Sequence, residues 1–133
     1  MRPRKSGPRL PESGLQGRVT LVGGQSPADL AWWYNAADVV CLATTGHESS
    51  HSLFEAMACG IPCVIDVAGD RETVADERFG VLTEPDSASV ANAIDRALQR
   101  SWDRVGIARE ARSRGWEVVG REWRARLEAI GQS

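Results

Sequence analysis

Apolar positions change their rhythm several times along the chain, and each change marks an element. Residues 1–17 hold Pro3, Pro8, Pro11, Gly7, Gly14 and Gly17 among basic side chains with little to bury, so they read as a linker or disordered tail. Val19-Thr20-Leu21-Val22 before Gly23-Gly24 reads as a short strand. Ser26, Pro27 and Asp29 then form a helix start, with a capping hydroxyl, a proline at the first helical position and an acid at the third. Leu30, Trp33, Tyr34 and Ala37 recur at helical spacing and are expected to bury one face, with Trp32 off that stripe. Val39–Ala43 is a continuous apolar run, as expected of a parallel strand covered on both faces.

The stretch from Thr44 to Ser52 is polar and holds His47 and His51. Leu53–Cys59 reads as a helix stopped by Gly60, with Pro62 beyond. Cys63–Ile65 and Phe79–Leu82 are strand-like, with a turn at 68–70 and a short helical piece at 72–76 between them. After Pro85 the period is helical. Asp86 or Ser87 caps a helix whose Val90, Ile94, Ala97 and Leu98 share a face, and a second helix covers about 103–114. A last stripe, Trp116, Val119, Trp123, Leu127 and Ile130, is expected to pack on the domain's own sheet; an oligomer seam and a membrane-surface helix are the alternatives.

Strands alternating with helices predict an α/β fold over residues 18–133, with a parallel Rossmann-like sheet and flanking helices. Ligands in such sheets sit beyond the carboxyl ends of strands, which directs attention to the segments after Gly23, Ala43 and Ile65. The segment after Ala43 is the most polar of these.

Composition narrows the class. Hydrophobic residues make up 42% of 133 and charged residues 26%, ordinary for a soluble globular protein. No apolar run approaches the roughly 18–20 residues that span a bilayer, and Met1-Arg2-Pro3-Arg4-Lys5 is followed by no apolar stretch, so neither a transmembrane segment nor a secretory signal is expected. A net charge of −2 supplies no general attraction to nucleic acid. Cys41, Cys59 and Cys63 lie among apolar neighbours and read as reduced, buried thiols of a cytoplasmic protein. The C-x3-C spacing of Cys59 and Cys63 is a poor zinc signature without a second ligand pair, so no metal is expected.

One long motif is specific. Asn35-Ala36-Ala37-Asp38-Val39-Val40, followed by His47-Glu48-Ser49-Ser50-His51-Ser52-Leu53-Phe54-Glu55-Ala56-Met57-Ala58-Cys59-Gly60-Ile61-Pro62, resembles the C-terminal half of retaining GT-B glycosyltransferases, the group 1 or family 4 enzymes. Asp66–Gly69 with Glu72, Gly80–Leu82 and Asp86 extend the match. Ser101–Arg104 through Gly115-Trp116-Glu117 is similar to the closing helices of members that build bacterial surface polysaccharides. The resemblance covers about Val19 to Ile130 and implies an incomplete C-terminal half of a GT-B fold.

What the resemblance implies for chemistry is a nucleotide-sugar donor, UDP- or GDP-linked, with neither metal nor cofactor. The helix amide end near Ser50, His51, Ser52 and Leu53 is expected to face the diphosphate, where free N–H groups and the helix dipole favour an anion. Glu55 takes the position of the family's second glutamate and is expected to accept hydrogen bonds from ribose hydroxyls, since a carboxylate can accept two at once. Its alternative role is an acid complementing the helix dipole, worth ~0.3–1 kcal/mol. The family's first glutamate falls on His47, with Glu48 one residue later. Contact with the donor sugar is assigned to His47 or to Glu48, or donor handling is impaired. His51 reads equally as a phosphate contact or an exposed loop histidine.

The same resemblance leaves parts without a counterpart. No strand–loop–helix–strand unit with the family's phosphate-binding Arg and Lys precedes Val19, and no acceptor-binding domain is present, so a missing domain or partner chain is expected. The alternative function is a non-catalytic binding or interaction module. A receiver-like or flavodoxin-like domain is disfavoured, lacking an acidic cluster or phosphate-loop glycines after its first strand. The location expected is cytoplasmic, with peripheral contact at the membrane surface as an alternative.

Overall fold

A computed structural model describes residues 14, 15, 17–42, 51–66 and 76–131. Helix α1 spans Pro27–Ala36 and starts as its sequence dictates, with the Ser26 hydroxyl accepting from the Asp29 amide. Strand β1 (Val40–Leu42), helix α2 (His51–Ala58), strand β2 (Cys63–Asp66) and strand β3 (Gly80–Thr83) follow. Helices α3 (Ser87–Gln99), α4 (Arg104–Ser113) and α5 (Trp116–Gly131) complete the order. Asp86 caps α3 through the Ser89 amide and Asp103 caps α4 through the Gly106 amide.

The three strands form one parallel sheet in the order β1-β2-β3, with Val40 opposite Cys63 and Cys63 opposite Gly80. All four residues of β2 are buried, and their side chains alternate between two layers. Cys63 and Ile65 join Leu53, Met57, Ile61, Ile107 and Ala111 under α2 and α4, while Val64 packs with Ala93 and Ala97 of α3. Helices on both faces of a parallel sheet are the expected α/β layering.

Helix α2 ends in a left-handed glycine. Gly60 has φ +76°, its amide donates to the Met57 carbonyl, and the Ile61 amide donates to the Ala56 carbonyl. This 5→2 and 6→1 pairing closes the helix and turns the chain straight into β2.

Several expectations are corrected. The strand expected at Val19–Val22 is reduced to a single bridge at Val19: Thr20, Leu21 and Val22 take no regular structure, and Leu21 and Val22 face solvent. Strand β1 is not covered on both faces: Cys41 is exposed, and α3 packs mainly over β2 and β3. The stripe of α1 buries less than its spacing promises, with no fully buried residue and Trp33 half open, although Tyr34 and Ala37 reach the core. In α3 the inward face is Val90, Ala93, Ile94 and Ala97, and Leu98 is 55% exposed.

The largest correction concerns α5. Trp116, Trp123, Leu127 and Ile130 are 59–77% exposed, so the stripe does not pack on the sheet. Its period is right, but none of the described strands meets its surface. The turn at 68–70, all but Asp76 of the helical piece expected at 72–76, and most of the tail lie outside the described residues. No helix among the described residues is long and apolar enough to cross a membrane.

The cysteines differ in consequence. All three are free thiols, but only Cys63 is buried, whereas Cys59 is half-buried and Cys41 exposed. Burial, with a smaller contribution from Cys41, pushes the Cys63 thiol up to about 12. Burial and then the Asp66 charge also raise Cys41. An alkylating reagent is therefore expected to modify Cys41 well before Cys63, which reacts only on unfolding because the thiolate is the nucleophile. Peptide mass mapping after timed labelling tests this; equal rates at the two sites would contradict the buried β2.

Candidate functional site

Strands β1, β2 and β3 end at Leu42, Asp66 and Thr83, and these ends define the carboxyl edge of the sheet. In a β1–α2–β2 crossover the helix returns against the strand direction, so α2 presents its amino end at this edge. Its first-turn amides have no partner within the helix, and the side chain of Ser52 is exposed beside them. Leu53 contributes only its main chain here, because its side chain is 1% exposed within the core.

Glu55 lies one turn into α2 and is exposed. Helix α2 shows three faces. Leu53, Ala56 and Met57 go into the core; Ser52, Glu55 and Cys59 face α1; His51, Phe54, Glu55 and Ala58 border a groove. Glu55 belongs to both outer rows. On the α1 side, the Tyr34 hydroxyl donates to Glu55 Oε2 at 3.1 Å. Burial raises the Tyr34 phenol above its ordinary value, and the neighbouring Glu55 carboxylate raises it further, while the Ser52 hydroxyl acts the other way.

The groove on the other side has a volume of about 710 Å³ and runs between α2 and the junction of α4 with α5, where Arg112 and Trp116 line it. The His51 ring stacks on Trp116, with centroids 6.2 Å apart and planes 25° from parallel. His51 is therefore helical within α2 rather than a loop histidine, and it is exposed while stacked on an indole. His47, Glu48 and Ser50 lie outside the described residues. The structure thus brings together His51, Ser52, Glu55 and the Leu53 amide.

A second cleft, of about 520 Å³, opens between Phe79 and α4 and is bordered by Arg78, Arg100 and Trp102. It sits before the start of β3, at the amino edge of the sheet, opposite the side where ligands bind such folds. Its charges are engaged locally: Arg78 pairs with Asp76, holding that carboxyl down to about 2, and Arg100 lies over the Trp102 ring at 4.4 Å.

Sequence reasoning missed Tyr34, Arg112 and Trp116 as neighbours of this site. For Tyr34 a signal existed: a tyrosine on a buried stripe carries a hydroxyl that seeks a partner. For Trp116 and Arg112 none did, since only the turn between α4 and α5 brings them to α2.

Comparison with known proteins agrees with this architecture. A family profile described as "Glycosyl transferases group 1" matches residues 3–100. A D-inositol 3-phosphate glycosyltransferase from Segniliparus rotundus is 37% identical over 117 residues, covering 80% of this chain and 25% of that protein. A phosphatidyl-myo-inositol mannosyltransferase from Propionibacterium freudenreichii is 32% identical over 125 residues, covering 86% and 32%. The sucrose-phosphate synthase structure from Thermosynechococcus elongatus superposes with a TM-score of 0.68 at 32% identity, covering 87% of this chain and 32% of that one. The chain thus spans a quarter to a third of the length of these relatives.

Proposed function

Because the chain belongs to the group 1 glycosyl transferases and carries part of a GT-B fold, we propose that it forms the donor side of a retaining glycosyltransferase that moves a sugar from a UDP- or GDP-linked donor to a glycan or other acceptor. The observation that carries this reading is Glu55: an exposed carboxylate, one turn inside a helix whose amino end opens at the carboxyl edge of a parallel sheet. The α2 amides and Ser52 receive the diphosphate, and Glu55 accepts the pentose hydroxyls. Dipoles fixed before the reaction stabilise the departing nucleoside diphosphate without reorganisation, which is the main catalytic contribution available here. In this proposal His47 or Glu48 meets the donor sugar, Ser50 lies with Ser52 on the diphosphate side, and no metal or cofactor takes part. Surface-polysaccharide synthesis in the cytoplasm is the setting we propose, supported by the closing-helix resemblance and the free thiols.

The test is a calorimetric titration of UDP- and GDP-sugars into the full chain and into Glu55→Ala. Hydrogen bonds to a charged group are worth about 1.5–3 kcal/mol, so the variant is expected to bind about tenfold or more weakly. Unchanged affinity in a folded Glu55→Ala protein would remove the donor reading. A second reading, a non-catalytic interaction module, is favoured by the open apolar stripe of α5. Absence of any nucleotide-sugar binding by the folded chain would select it.

A further inference from the structure

We propose that Tyr34 is a positioning residue that aims the Glu55 carboxylate at the pentose, a role that rests on the donor reading above. Glutamate on an open helix surface has rotatable bonds that scatter its carboxylate, and ordering them has an entropic cost on binding. Here the Tyr34 phenol donates to Oε2 at 3.1 Å while the tyrosine ring itself packs against the buried core. The donor is therefore anchored and the acceptor is free to move only with it. One lone pair of Oε2 is occupied, which leaves Oε1 and the remaining Oε2 lone pair for two adjacent hydroxyls.

Helix α1 is fixed well enough to perform this task. Ser26 caps its start, and the Arg104 guanidinium of α4 donates to the Ala37 carbonyl at its end at 3.0 Å. Asn35 Nδ2 lies 3.7 Å from Cys59 Sγ, one turn of α2 beyond Glu55. Tyr34 thus sits over the Ser52–Glu55–Cys59 row, between the residue proposed for the diphosphate and the one proposed for the pentose. The groups of α2 that act on its phenol are Glu55 and Cys59, which raise it, and Ser52, which lowers it.

The chain has a single tyrosine, so the phenolate absorbance reports on Tyr34 alone. In an alkaline titration of the full chain the midpoint is expected above the ordinary phenol value, and in Glu55→Ala it falls part of the way back, because burial remains. Calorimetry with UDP, GDP and inorganic pyrophosphate then compares wild type, Tyr34→Phe, Glu55→Ala and the double variant. Tyr34→Phe is expected to weaken the better-bound nucleotide about fivefold, the worth of one hydrogen bond, with pyrophosphate unaffected and no added loss in the Glu55→Ala background. Nucleotide affinity unchanged in Tyr34→Phe but reduced in Glu55→Ala overturns the role of Tyr34 and leaves the donor reading standing. Equal losses from Tyr34→Phe with and without Glu55 also overturn it. Nucleotide affinity indifferent to Glu55→Ala, or no nucleotide binding, removes the donor reading and this role together. If Tyr34→Phe does not fold, the absorbance titration decides, since both of its proteins retain the tyrosine: an unshifted midpoint in Glu55→Ala refutes the contact.

Discussion

Gly60→Ala is expected to lower the unfolding free energy by about 2–5 kcal/mol, combining ~1–2 for a side chain in the left-handed region and ~1–3 for overpacking. The φ of +76° is the first reason. The second is space: a Cβ at Gly60 would lie 2.7 Å from the Arg104 carbonyl oxygen and 3.2 Å from the Arg104 Cβ. The near atom is backbone at the start of α4, so relief requires the α2–α4 seam to open. Denaturant unfolding measures the effect as a lower midpoint with unchanged slope. A loss below about 0.5 kcal/mol, the range of ordinary surface changes, would mean that this close approach does not exist in solution.

Ile107→Ala is expected to cost about 2–5 kcal/mol, the range for truncating a large aliphatic side chain in a core. Ile107 is 0% exposed and is the largest fully buried side chain that α4 contributes to the cluster under the sheet. Only Ala111 accompanies it from α4 among the buried members, so little remains to fill the space. Since domains of this size are stable by about 5–15 kcal/mol, the loss is a large fraction of the total. Val105→Ala, two residues earlier but 68% exposed, serves as the control and is expected to stay within about 0.5 kcal/mol. Equal effects of the two substitutions would show that α4 is not seated as described.

These sensitivities explain which parts of the molecule were readable beforehand. Local chemistry was: Ser26-Pro27-x-Asp29, Asp86 and Gly60 each act over a few residues, and each forms the cap or stop its residue type prescribes. The parallel pairing followed from apolar runs separated by helices. The body of α2 was legible too, since Leu53–Ala58 is helical and Gly60 closes it. Misreadings arose where periodicity had to stand for burial. A stripe says which residues share a face, never whether another surface meets it. Hence Trp123 and Leu127 face solvent on a correctly spaced helix, and Leu21 and Val22, exposed beyond the single bridge at Val19, extend no strand. Tyr34 was hidden for the opposite reason: its ring obeys the core pattern while its hydroxyl serves Glu55, twenty-one positions away in sequence.

Arg104 touches the chain in two unrelated ways. Its main chain bounds the space beside Gly60, and its guanidinium holds the last carbonyl of the α1 turn at Ala37. The acid and its aim are consequently encoded in separate stretches. A graft of residues 51–66 onto another scaffold would transplant the carboxylate, the glycine stop and the following strand, but leave behind the phenol at 34 and the clamp at 104. In the proposed donor site, recognition by this segment is thus a property of the assembled neighbourhood, and the conspicuous motif is its portable but unaimed half.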